Sequence, residues 1–219
     1  PSNVWIWKEL AKRDNGLVKF VQRPSDDNWT SSIINSIDKD TAIVSVPNCH
    51  WTDGGLIDLE ILSKELKKNN ISLAIDGTQS VGVMPIDINK IKPDFMVVSG
   101  YKWCLGPYRL GLAYIDKKYH KGSPIEHNWL SKFDIPVDNT VPDMTNYKDF
   151  DFENARKYDF GQRGNFHLIP ALESSLKLIL SITPNSIYNH VDKLNEEILK
   201  VTSEMGISHI ERNFRAKHY

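Results

Sequence analysis

Residues 71–111 read ISLAIDGTQSVGVMPIDINKIKPDFMVVSGYKWCLGPYRLG. Two apolar runs frame this stretch. ISLAI (71–75) ends in a carboxylate, Asp76, and FMVVS (95–99) ends three residues before Lys102. Both runs are short and rich in Ile, Val and Phe, the composition of strands buried in a parallel sheet. The interval between Asp76 and Lys102 has the length of one crossover connection. Parallel neighbours bring their C-terminal ends to the same sheet edge, where open α/β sheets bind ligands. The pattern therefore predicts an α/β fold in which Asp76 and Lys102 face one crevice.

A carboxylate and an amine across one crevice suit pyridoxal 5′-phosphate. Lys102 would bond the cofactor's aldehyde carbon. Asp76 would keep the pyridine nitrogen protonated, which makes the ring an electron sink for a substrate carbanion. Gln79, three residues after Asp76, is placed to hydrogen-bond the ring oxygen, and Ser99 and Tyr101 carry hydroxyls for the phosphate. Taken singly these residues mean little. An Asp at a strand end is commonly a helix cap or a solvated loop residue, and a Lys after Gly-Tyr is commonly a surface residue. The pairing, the hydroxyls and the trailing glycines carry the reading.

DGTQSVG (76–82) resembles the Asp-x-x-Gln cofactor motif of aminotransferase class V, and SGYKWCLGPYRLG (99–111) resembles its lysine motif. That family of fold-type I pyridoxal phosphate enzymes includes cysteine desulfurases, selenocysteine lyases, kynureninases and isopenicillin-epimerase-like proteins. The two motifs occur in the family's order and separation. Desulfurases usually carry His before the lysine; Tyr101 stands there in this chain, as in kynureninase-like and epimerase-like members. PSNVWIW (1–7), HWTDG (50–54) and IEHNWL (125–130) are similar to epimerase-like segments. The resemblance implies cofactor contacts for His50, Trp51 and Trp129. Read from the residues alone, Trp51 packs and Asp53-Gly54 makes a turn. RKYDFGQRGNF (156–166) resembles the segment that returns to the large domain. It implies that Arg163 reaches the phosphate of a second subunit, although Gln162 replaces the Thr usual in desulfurases.

The resemblance also implies a three-layer αβα sandwich with a mostly parallel sheet, a small amino-acid substrate and a homodimer. Residues 1–184 would be part of the cofactor-binding large domain, and 185–219 the connecting helix and truncated start of a small C-terminal domain. The chain would be the central half of a family member, without the phosphate-binding loop that precedes it or the substrate-binding arginine that follows.

The remaining sequence sets limits. Of its 219 residues 40% are hydrophobic and 25% charged, as in an ordinary globular protein. A net charge of −1 argues against nucleic acid as a partner. The apolar runs are too short to span a membrane. Two cysteines, Cys49 and Cys104, make no disulfide framework, and a reducing, cytoplasmic setting is expected. Cys49 reads as a packing residue, and no metal site is expected. Periodicity predicts helices over 2–15, 26–37, 56–70, 166–182 and 185–206, the last capped by Asn185 or Ser186. Strands are predicted over 16–22, 41–47 and 110–115, and ISHIERNF (207–214) is predicted as a first strand of the small domain. The resemblance implies that 110–115 runs antiparallel. The polar stretch 117–166 is too long for an idle connection.

Three function classes compete. A Rossmann-like oxidoreductase needs a G-x-G-x-x-G after an early strand, which is absent. The Tyr-x-x-x-Lys pair of short-chain dehydrogenases is absent too, since Tyr101 and Lys102 are adjacent. A non-catalytic domain on the same fold is opposed by Asp76 and Lys102. What remains is a pyridoxal phosphate enzyme of transferase, lyase or epimerase type, with a kynureninase-like hydrolase as the alternative. Those reactions differ in which bond at the substrate's Cα stands perpendicular to the ring, which the sequence leaves open.

Overall fold

The structure is a computed structural model and describes residues 2–128, 145, 154–161 and 164–219. Four strands form one sheet in the order β1 (Ile43–Pro47), β2 (Ser72–Asp76), β3 (Phe95–Ser99) and β4 (Gly111–Ile115). The first three are parallel, and β4 returns antiparallel along β3. Val46, Ile75 and Met96 stand side by side across the sheet. With Val44 and Leu73 they present an apolar face to α2 (Trp29–Asn35), α3 (Leu59–Lys68) and α4 (Ile88–Ile91).

Spacing and caps explain α3. Leu59, Leu62 and Leu66 recur on one helical face and are 4%, 0% and 0% exposed. Burying such a side chain contributes about 1.5–3 kcal/mol. Asp58 Oδ1 accepts the Ile61 amide hydrogen at 2.9 Å and starts the helix. At its C-terminus Lys67 donates to the Ile91 carbonyl at 2.9 Å, where a cation also suits the helix dipole.

The opposite face is covered unevenly. Here α1 (Ser2–Arg13) packs against β1, where the Ser45 hydroxyl donates to Asn3 Oδ1 at 2.6 Å and accepts from Trp7 Nε1 at 2.9 Å. Val97, on this same face of β3, is 54% exposed. Back on the face of Met96, near the C-terminal end of β3, Val98 and Cys104 meet Ile179 of α5 (Leu168–Ile182) and Ile187 of α6 (Pro184–Glu204). Helices on both faces of a mostly parallel sheet make this an α/β fold. Among the described residues no helix is long and apolar enough to cross a membrane.

After β4 the chain turns through Lys117–Tyr119 at the edge where β3 begins. There Tyr119 and Lys118 hold Asp94. Residues 154–161 return to the same place. The Tyr158 hydroxyl donates to the Tyr119 carbonyl, Lys157 Nζ to the Gly122 carbonyl at 3.0 Å, and the Gly161 amide to Glu126 at 2.7 Å.

Several local expectations are corrected. Residues 16–22 form no strand: Val21 packs on the core, but Leu17 is 91% and Phe20 50% exposed, and among the described residues no strand lies beside them. Alternation without a partner does not make a strand. The helices expected over 26–37 and 56–70 shorten to α2 and α3, because Asn28 and Asp58 cap them. Leu56 bridges to Cys49 instead. The cap of α6 is Thr183, whose hydroxyl accepts the Ser186 amide hydrogen at 3.2 Å, with Pro184 at the first helical position. ISHIERNF is not a strand either; it ends in a single turn, Arg212–Phe214, and the tail behind it folds against α6 and the loop after β1.

Candidate active site

Two turns at the C-terminal edge of the sheet build the site. Asp76 ends β2 opposite Val97, two residues before β3 ends at Ser99, so both chains leave the sheet at one edge. The turn after Asp76 is stitched to β3. Asp76 Oδ1 accepts the Thr78 amide hydrogen at 3.1 Å, Thr78 Oγ1 accepts that of Ser99 at 3.1 Å, and the Gly77 amide donates to the Val97 carbonyl at 2.8 Å.

The turn carrying Lys102 packs onto the first. Gly82 adopts φ +103°, and a Cβ there would lie 2.3 Å from the Trp103 carbonyl oxygen, so only glycine fits. Cys104 Sγ sits 3.5 Å from the Val81 carbonyl. Lys102 is half-buried, its ammonium 5.9 Å from the centre of the Tyr101 ring, and among the described residues it forms no ion pair. A carboxylate with one oxygen fixed by an amide, and an unpaired amine on the adjoining turn, fit the donor set that pyridoxal phosphate requires.

The other predicted residues divide. Gln79 and Ser99 are half-buried at this edge. Tyr101 stacks on Tyr108 with ring centres 4.5 Å apart and is 40% exposed. His50 lies in the loop after β1, so the parallel sheet brings it to the same edge. Its ring stacks on Trp29 at 5.4 Å, and its Nδ1 is 2.8 Å from Thr52 Oγ1 and 3.2 Å from Asp53 Oδ1. Asp53 and Gly54 make the expected turn, closed by the Gly54 amide on the His50 carbonyl at 2.9 Å. Trp51 does not pack; it is 61% exposed. Trp129 and Arg163 lie outside the described residues.

Neither cysteine suits nucleophilic work. Both are 0% exposed. Burial, with Asp53 nearby, pushes the Cys49 thiol up to about 12, and burial raises that of Cys104. A cavity of about 420 Å³ beside Thr41 and Ile71 lies at the opposite edge, where β1 and β2 begin, and contains none of the predicted residues.

Two residues escaped the sequence reading. Thr78 stands between Asp76 and Gln79, and its hydroxyl was the only signal. His218 had none: its Nε2 meets the Gln79 carbonyl at 2.6 Å across a separation of 139 residues.

Residues 1–128 match the family model "Aminotransferase class-V". The chain belongs to this family. This class V chain is 31% identical over 209 residues to a protein of Borreliella burgdorferi described as "Probable cysteine desulfurase", covering 93% of this chain and 47% of that one. It is 28% identical over 180 residues to a protein of the same description from Mycoplasma genitalium, covering 81% and 42%. Its fold matches an apo cysteine desulfurase structure from Thermococcus onnurineus with a TM-score of 0.81 at 22% identity, over 99% of this chain and 52% of the other. The class V chain thus spans about half the length, or less, of the relatives it matches.

Proposed function

We propose that the chain is the central part of a pyridoxal 5′-phosphate-dependent enzyme that acts on a small amino acid. The observation that carries this reading is the placement of Asp76 and Lys102 on two stitched turns at the ends of adjacent parallel strands. Family membership supports it.

When bound, the cofactor supplies an electron sink for charge developing at the substrate's Cα. Asp76, with Oδ1 fixed by Thr78, would hold the proton on the pyridine nitrogen. Lys102 would hold the cofactor through its aldehyde carbon and would move the proton at the substrate's Cα. Gln79 would hydrogen-bond the ring oxygen, and Ser99 and Tyr101 would offer hydroxyls to the phosphate. His50, Trp51 and Trp129 would shield the ring from water. Arg163 of a second subunit adds a positive charge, since phosphate is poorly balanced by hydroxyls alone. The same reading makes the protein a cytoplasmic homodimer. It assigns 1–184 to the cofactor-binding domain and 185–219 to the passage into a smaller one.

The names of the matched relatives make cysteine the first substrate to try. Because Cys49 and Cys104 are buried, a cysteine that receives sulfur would lie outside this segment. The test uses the full-length protein with added pyridoxal phosphate. A visible absorption band bleached by borohydride, with the label recovered on Lys102 after proteolysis, is expected. No label, or a label on another lysine, overturns the reading. Product analysis over an amino-acid panel then selects the reaction.

A further inference from the structure

We infer that His218 is a positioning residue of the cofactor site, acting through Gln79; the inference rests on the function proposed above. His218 is 5% exposed. A carbonyl oxygen can only accept, so the 2.6 Å contact with Gln79 fixes the hydrogen on Nε2. Burial lowers the pKa of the ring more than the Gln79 carbonyl raises it, which favours the neutral ring with this single N–H.

The ring touches both halves of the site. It holds the carbonyl of Gln79 on the turn after Asp76. It also meets Trp103, the neighbour of Lys102, edge-on, with ring centres 5.2 Å apart and planes at 89°. The turn's own amides bond the Gly77 and Ser80 carbonyls, and His218 takes the Gln79 carbonyl. That bond sets the peptide plane from which the Gln79 side chain departs.

The backbone that leads into His218 is itself held from behind. The Lys217 amide donates to Tyr188 Oη at 3.1 Å, Asn195 Nδ2 to the Lys217 carbonyl at 3.0 Å, and the Ala216 amide to the Gly54 carbonyl at 2.8 Å. The tail therefore ties α6 and the loop after β1 to the Gln79 turn. A residue distant in sequence orients a cofactor ligand without touching the cofactor.

The test compares His218→Phe, which keeps a ring against Trp103 but has no donor, with His218→Gln, which keeps a donor. Both are made in the full-length protein, alone and with Gln79→Ala. His218→Phe should weaken pyridoxal phosphate binding by about fivefold to tenfold, the effect of one lost hydrogen bond, and shift the visible band of the bound cofactor. His218→Gln should restore the band. In the Gln79→Ala background His218→Phe should add less than a twofold loss, because its effect passes through Gln79. Full additivity, or wild-type affinity in His218→Phe, overturns the inference. If His218→Phe does not fold, His218→Asn, too short to reach the carbonyl, replaces it. Amide hydrogen exchange in the cofactor-free protein separates the two proposals. His218→Phe should speed exchange in turns 77–84 and 100–104 whether or not the protein binds cofactor. Unchanged exchange sinks the role of His218, whereas a wild-type protein without label on Lys102 sinks the proposed function.

Discussion

Thr78 Oγ1 accepts the amide hydrogen of Ser99 at 3.1 Å, so a side chain from the turn after Asp76 fixes the end of the strand that leads to Lys102. Val has the shape of Thr but no acceptor. Thr78→Val should destabilise the full-length protein by about 1–2 kcal/mol, the lower part of what an unmatched buried donor costs, because this one is only partly buried. Thr78→Ser should stay within about 1 kcal/mol of wild type, since it keeps the oxygen. Urea unfolding measures both, and equal stability of the two variants would contradict the stitch.

Asp76→Asn keeps the shape and loses the charge. An amide cannot hold the pyridine nitrogen protonated. Turnover should drop by about 10²–10³, the scale seen when a preorganised electrostatic partner is removed, while cofactor binding remains measurable. Turnover within twofold of wild type would remove Asp76 from the role proposed for it.

Asp94 anchors the start of β3. It is 7% exposed and accepts from the Leu73 amide at 2.7 Å, from the Tyr119 hydroxyl at 3.1 Å and from the Lys118 ammonium. Burial alone would raise its pKa, but the ion pair and hydrogen bonds outweigh burial and leave it below the ordinary value. A carboxyl depressed in the folded state stabilises the fold above its unfolded pKa, near 3.9. That contribution is lost as pH falls through the folded pKa. Asp94→Asn should therefore be less stable than wild type by about 1–3 kcal/mol at pH 7. The gap should narrow as pH falls below about 4. A gap that stays constant on acidification would show that the charge of Asp94 is not what matters.

Local features of the sequence foretold the sheet better than the site. Ile71–Asp76 and Phe95–Ser99 announce themselves because a short apolar run ending in a polar residue needs no distant partner to be recognised. Residues 16–22 show the same alternation and form no strand, since the missing neighbour is invisible in one dimension. A hydroxyl directly before Pro184 is a helix-start signal, but Asn185 and Ser186 carry competing ones, so the sequence alone does not single out Thr183. Within the proposed site, Asp76, Gln79 and Lys102 stand out in the sequence as motif positions. The hydroxyl of Thr78 could be read, but not its partner Ser99, and the contact between His218 and Gln79 exists only after the tail has folded back.

If two chains share a site, two dead variants can rescue each other. Lys102→Ala and Arg163→Ala proteins, each inactive alone, should on mixing recover roughly one working site in two per heterodimer, since each interface then carries one intact lysine with one intact arginine. No recovery after proven subunit exchange would mean that each chain completes its own site.

The clasp of Tyr158 on Tyr119, Lys157 on Gly122 and Gly161 on Glu126 makes neighbours of two segments distant in sequence. It stands at the edge where β3 begins, the length of a strand away from Asp76 and Lys102. Lengthening a connection between two points already held together costs little, about 0.6 kcal/mol for each doubling of its length. A foreign loop inserted between the clasped segments should therefore leave the turns that carry Asp76 and Lys102 in register.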